Sequence, residues 1–246
     1  MSGLLSKLFR PKAKDEHPFC SVIVAAAGCS SRMEGANKLM LPLDGIPVLA
    51  RTLLALDGAL LVDEIVVAVR EEDLLPTGDL CKTYGITKPT KIVRGGSTRL
   101  ESVLAASREC REDAAFLAVH DGARPLAEPE LIDRVIALAH NTNAAAPAVP
   151  VKDTIKIVRE NVVERTPDRA SLRAVQTPQA FDAQLLRAAL QSAQTSGIDV
   201  TDDCSAVELL GKEVYLTNGS YENIKITTPE DMLLAAELLR RREELQ

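Results

Sequence analysis

Short β-branched runs alternate with amphipathic stretches of helical length along most of this chain. That alternation predicts a mostly parallel sheet with helices on both faces, an α/β architecture. Residues 19–25 (FCSVIVA) read as the first buried strand, and residues 64–69, 91–94, 115–120 and 144–149 as others. Helices are expected at 47–56, with proline in the first turn, at 97–110, opened by Ser97 or Thr98, and at 128–140. Residues 151–175 break the rhythm. They are charged and turn-rich, and a hairpin of 154–158 with 161–166 would make them an inserted arm. A two-stranded arm is marginal alone and needs a partner surface. Alternation resumes with helices at 182–195 and 202–210, a strand at 213–217 and a last helix from Pro229. The expected division is a basic tail over 1–18 and one domain over 19–246 that carries the arm.

Composition narrows the partners. With 29 Lys+Arg against 35 Asp+Glu the net charge is −6, so nothing pulls the whole chain toward nucleic acid. Aromatics are 3% with no Trp, which argues against stacking platforms for single strands. The 5 cysteines are odd in number and form no C-x-x-C pair, and the 3 histidines are scattered. Neither a disulfide framework nor a structural zinc site is expected, and a reducing cytoplasm is the simple reading. No stretch has the apolar length of a membrane span. Lys7, Arg10, Lys12 and Lys14 interrupt Leu4, Leu5, Leu8 and Phe9, so the start of the chain reads as a frayed basic tail or a weak surface segment, not a signal peptide.

Several loops carry chemistry. In parallel sheets ligands sit at the carboxyl ends of strands. AAAGCSSRM at 25–33 lies at such an end, with Lys38 beyond it. Small residues let the backbone approach a ligand, and successive N–H groups can cradle an anion. Arg32 and Lys38 add positive charge, a combination suited to a nucleoside triphosphate. The Walker A and dinucleotide spacings are absent. A plain βα turn with solvated charges competes with the functional account. RGGSTRLES at 94–102 places orphan N–H groups at the same face, or is only a tight turn and a cap. VHDGARP at 119–125 ends a buried strand in Asp121, which suits a Mg²⁺ ligand or a turn. Arg124 there is a phosphate binder or the partner of Asp121. Lys225 lies in NIKIT at 223–227, and Thr228–Pro229 reads as a helix start. Asp202 and Asp203 are equally caps or site residues.

The joint order of these segments carries more than any one of them. With PVKDT at 150–154, DRASLRAVQTPQAF at 168–181 and TDD at 201–203, the chain resembles the 2-C-methyl-D-erythritol 4-phosphate cytidylyltransferase family. The resemblance runs from about residue 21 to about residue 239. It implies a Rossmann-like sheet of the nucleotide-diphospho-sugar transferase type with a protruding β-arm. It implies transfer of a cytidylyl group from CTP to 2-C-methyl-D-erythritol 4-phosphate, with release of pyrophosphate. By match, Arg32, Lys38 and Lys225 would serve the triphosphate and the reacting phosphate. Ala26, Ala27, Gly28, Gly95, Gly96 and Ser102 would hold the nucleotide. Thr154 and Arg169 of the arm would hold the acceptor, often across a homodimer interface. Asp121 would hold Mg²⁺. One catalytic domain is expected, with no fused cyclodiphosphate synthase. Gly122 stands where many members have alanine, and the basic extension before Cys20 lies outside the family pattern.

The chemistry is consistent with this set. A phosphomonoester has a second pKa of about 6, so the acceptor is largely dianionic at pH 7. It needs no general base, and the obstacle is anion meeting anion, which cations and positioning address. A ribitol-5-phosphate cytidylyltransferase is the nearest alternative, since it shares the nucleotide half and differs at the arm. A glycosyltransferase would show D-x-D after a strand, where this chain has His-Asp-Gly. A nucleotide-binding regulator without catalysis would be expected to lack Asp121, Lys38 or Lys225, all of which are present.

Overall fold

Val22 and Val24 of β1 (Cys20–Ala25) belong to one core, and Ile23 between them belongs to another. The same alternation runs through β4 (Glu64–Val69), where Ile65 and Val67 face the first core and Val66 and Ala68 the second. A strand buried on both faces reads as an unbroken apolar run, which is why these segments were legible. In the computed structural model, which describes residues 17–28 and 37–244, both are interior strands of an eight-stranded sheet.

β6 (Phe116–Asp121) and β4 flank β1 in parallel, and β5 (Thr90–Arg94) extends the parallel run beyond β4. On the far side of β6 the sheet becomes mixed. β11 (Gln179–Asp182) runs antiparallel to β6 and to β7 (Ala144–Pro150). β10 (Arg173–Val175) runs antiparallel to the last residues of β7, and β12 (Tyr215–Asn218) pairs with β7 in parallel. Residues 173–175, read from sequence as part of the arm, therefore belong to the central sheet.

Helices cover both faces. α1 (Val48–Gly58), α2 (Leu74–Thr83), α4 (Pro129–Thr142) and α7 (Pro229–Glu244) contribute to the first core. α3 (Arg99–Glu109), α5 (Ala183–Ser196) and α6 (Asp203–Leu209) build the second. Leu53, Ile132 and Leu186 are fully covered, and each such side chain contributes roughly 1.5–3 kcal/mol by leaving water. β2 (Pro42–Leu43) and β3 (Ile46–Pro47) form a small hairpin before α1.

One difference from the sequence reading has a local cause. α2 carries Pro76 and Gly78, which hide a helix from pattern reading, but proline in a first turn is tolerated and Thr77 and Leu80 are buried. The start of α7 is held by Asp231, whose carboxylate accepts from the backbone N–H groups of Thr227 and Thr228. Within the segment read as an arm, β8 (Ile157–Arg159) and β9 (Val162–Arg165) pair antiparallel as a separate two-stranded sheet, with Val158, Val162 and Val163 exposed. Nearly all of the basic tail, Arg32 and Cys29 lie outside the described residues. Among the described residues, no helix is long and apolar enough to cross a membrane.

Candidate active site

The carboxyl ends of the parallel strands meet around one cavity of about 210 Å³. Ala26, Ala27 and Gly28 enter it directly after β1. The backbone there is pinned: Ala26 N–H donates to Ala68 O at 2.9 Å, and Gly122 N–H donates to Ala25 O at 3.0 Å. Lys38 lines the cavity from beyond the loop.

The second wall is the start of α3. Thr98 closes a capping box with Glu101, each side chain accepting from the other's backbone N–H. This turns Gly96, Ser97 and Thr98 onto the cavity. Ser102 Oγ donates to Thr98 O at 2.8 Å and accepts from Gly96 N–H at 3.1 Å, so it holds the loop's shape while lining the cavity. Gly95 sits just behind. A Cβ there would meet Ala27 Cβ at 2.5 Å and Ser102 Oγ at 2.9 Å, so this close approach of two loops requires glycine.

The third wall is the end of β6. Asp121 is 6% exposed and faces three cations. Lys225 Nζ is 3.0 Å from its Oδ2, Arg124 Nε 3.5 Å from the same oxygen, and Arg99 Nε 3.8 Å from Oδ1. Burial alone would raise this carboxyl, but Lys225, Arg99 and Arg124 outweigh it and hold the pKa at about 2. Asp121 is thus a fixed anion at any working pH. Arg124 is itself buried and donates to Asn223 O at 2.6 Å, which makes it a scaffold for Asp121. Ile226 N–H donates to Ala123 O at 2.8 Å, and this bond sets Lys225 beside the loop after β6. His120 points away. It is fully buried, its Nδ1 lies 3.1 Å from Thr177 Oγ1, and burial pushes its pKa down to about 4.

Of the residues expected from sequence, Ala26, Ala27, Gly28, Lys38, Gly96, Ser102, Asp121 and Lys225 line this one cavity, and Gly95 shapes it. Thr154 and Arg169 do not. Both are exposed, and Arg169 Nη1 donates to Lys152 O at 2.9 Å. Sequence reasoning missed Arg99, which lines the cavity and pairs with Asp203 at 2.6 Å. The two ambiguous aspartates separate: Asp202 caps α6 by accepting from Ser205 N–H, and Asp203 holds Arg99.

Asp121 is the carboxylate in the cavity, and no group of three or more His, Cys, Asp or Glu side chains gathers among the described residues. A hard donor of this kind fits Mg²⁺, which keeps waters and is typically held by one or two carboxylates together with substrate phosphates.

Comparison with known proteins gives a consistent answer. A family model described as 2-C-methyl-D-erythritol 4-phosphate cytidylyltransferase matches residues 20–241. A protein of that name from Bacillus cytotoxicus is 43% identical over 220 residues, covering 89% of this chain and 97% of its own. The one from Halalkalibacterium halodurans is 43% identical over 224 residues, covering 91% and 98%. The crystal structure of 4-diphosphocytidyl-2C-methyl-D-erythritol synthase from Anaerococcus prevotii is similar with a TM-score of 0.82 and 32% identity, covering 91% of this chain and 96% of that one.

Proposed function

The chain belongs to the 2-C-methyl-D-erythritol 4-phosphate cytidylyltransferase family, and from that premise we infer how its cavity moves a cytidylyl group. The reaction joins CTP and 2-C-methyl-D-erythritol 4-phosphate. A phosphate oxygen of the acceptor bonds to the α-phosphorus of CTP, and the bond from that phosphorus to the β-phosphate bridge oxygen breaks. Pyrophosphate leaves with the electron pair. The relatives carry the methylerythritol name, so ribitol 5-phosphate is not favoured as the acceptor.

The single observation that carries the mechanism is the gathering of Lys38, Lys225 and Asp121 on one cavity at the strand ends. Lys38 would hold the triphosphate, together with Arg32 of the loop. Lys225 would screen the α-phosphate as the acceptor oxygen approaches. Backbone N–H groups of the loop at Ala26, Ala27 and Gly28 would cradle the phosphates. Gly95, Gly96 and Ser102 would shape the pocket for the base. Asp121 would hold Mg²⁺, which when bound neutralises phosphate charge. The dianionic acceptor attacks without a proton acceptor on the protein, consistent with a buried and neutral His120.

Thr154 and Arg169 would bind the acceptor's phosphate. Their exposure on the arm, away from the cavity of their own chain, supports delivery to a second protomer in a homodimer. The exposed valines of the hairpin give such an arm an apolar surface to bury. A cytoplasmic location suits the free thiols. The test is pyrophosphate release from CTP and Mg²⁺ with each acceptor separately. Release with 2-C-methyl-D-erythritol 4-phosphate alone is expected, and release with ribitol 5-phosphate alone would overturn the acceptor assignment.

A further inference from the structure

Arg99 stands between two carboxylates. It is the first residue of α3, immediately inside the capping box, and it lines the cavity. Its Nη2 donates to Asp203 Oδ2 at 2.6 Å, while its Nε is 3.8 Å from Asp121 Oδ1. The first is a short charge-assisted bond and the second is only a near approach.

Asp203 is held with unusual firmness for a residue at the start of a seven-residue helix. Its side chain is 1% exposed. Its backbone N–H donates to Gln179 Oε1 at 3.1 Å, and the N–H of Cys204 donates to the same oxygen at 3.0 Å. Gln179 Nε2 donates in turn to Asp202 Oδ2 at 2.7 Å. Gln179 lies on β11, opposite Val119 of β6, the strand that ends in Asp121. Asp203, held from β11, and Asp121, at the end of β6, are therefore positioned from two paired strands. The helix does not need Asp203 as a cap, because Asp202 fills that place. A buried carboxylate costs several kcal/mol unless it is paired, and Arg99 is the ion-pair partner of this one.

We propose that Asp203 is a positioning residue that holds the Arg99 guanidinium back from Asp121. In this arrangement Arg99 keeps donors turned to the triphosphate, and Oδ1 of Asp121 stays available to a divalent cation. Without Asp203 the guanidinium closes on Asp121, which blocks the cation and withdraws Arg99 from the phosphates. The proposal rests on the reading of Asp121 as the metal ligand.

The probe is Mn²⁺ with CTP, followed by water-proton relaxation, which separates Mn²⁺·CTP from its complex with the protein. Thermal unfolding is recorded on every variant. Asp203→Asn is expected to weaken binding of Mn²⁺·CTP at least tenfold and to raise KM for CTP. Arg99→Gln is expected to lose some CTP affinity but to keep a Mn²⁺ effect on binding. The double variant is expected to match Arg99→Gln alone, because no guanidinium remains to close on Asp121. Asp203→Asn binding like the wild type overturns the proposal. So does a double variant weaker than both single ones, the result of a merely structural role. Where Asp203→Asn fails to fold, Arg99→Lys replaces it. A lysine lacks the fork that spans both carboxylates, so the same weakening is expected, and wild-type binding overturns the proposal. Asp121→Asn is the separate control. If it binds Mn²⁺·CTP like the wild type, the metal assignment itself fails.

Discussion

Lys225 Nζ lies 3.0 Å from Oδ2 of Asp121, so the cation assigned to the α-phosphate and the carboxylate assigned to the metal are paired with each other. The lysine side chain is 42% exposed and the carboxylate 8%. Each partner can therefore take a new counter-ion: Lys225 a phosphate oxygen in place of the carboxylate, and Asp121 a metal ion in place of the ammonium. Because Arg99 and Arg124 also face Asp121, losing Lys225 to a ligand does not strand a buried charge.

The tight approach of two loops gives a steric prediction. Gly95→Ala puts a methyl group 2.5 Å from Ala27 Cβ, and the strain of such overpacking is typically about 1–3 kcal/mol. The loops must part where they shape the nucleotide pocket. KM for CTP is expected to rise about tenfold, on the scale of 1.4 kcal/mol per decade, with the acceptor's KM little changed. Steady-state kinetics with each substrate varied in turn measures both. A variant with wild-type KM for CTP would show that the loops are free to move apart.

The arm assignment predicts a split in the other direction. Arg169→Ala is expected to raise KM for the acceptor far more than KM for CTP. The guanidinium is exposed and donates to Lys152 O, a single surface hydrogen bond among the described residues, so the fold should not suffer. Equal effects on both substrates would refute the assignment. Sedimentation at micromolar concentration checks the accompanying claim of a homodimer, and a monomer there would contradict it.

A third prediction concerns acid. Burial pushes His120 down to about 4, against the ordinary value near 6.5. The unfolded chain takes up a proton at this site well before the folded chain does. The stability tied to a neutral His120 is thus complete above about pH 6.5 and is lost as pH falls toward 4. A shift of this size corresponds to a loss on the order of 3 kcal/mol. Asp121, held at about 2, stays charged in the folded protein throughout that window, and it adds to the slope only at the acid end, below about pH 5, where the unfolded carboxyl begins to take up protons. Urea unfolding at pH 7 and pH 4.5 should show His120→Gln losing less stability than the wild type. Equal losses would place the acid sensitivity elsewhere.

The central strands were readable because burial on both faces leaves Val22, Ile23 and Val24 in one uninterrupted run. A cap at Ser97 or Thr98 was readable from residue type, and the capping box with Glu101 selects Thr98. α2 was not, since Pro76 and Gly78 mimic a loop and only tertiary burial of Leu80 makes the helix worth forming. The mixed half of the sheet was hidden for a different reason. The residues of β10 are exposed, so they carry no apolar signature, and strand direction is not a local property. The site divides in the same way. Lys38 and Asp121 stood out by residue type beside small-residue loops, and Lys225 by the resemblance of NIKIT to the family pattern. Arg99 did not, because its meaning comes from Asp203, a partner 104 residues away that local spacing cannot bring to it.

The central claim is that cations on one cavity, with no general base, carry the transfer. The most direct measurement is kcat for pyrophosphate release by Lys38→Ala and Lys225→Ala at saturating CTP, Mg²⁺ and acceptor. Removing one preorganised charge at such a site costs about 3 kcal/mol, so each variant should fall by two to three orders of magnitude. Its thermal unfolding should stay close to that of the wild type. Turnover at the wild-type rate in both variants would contradict the account.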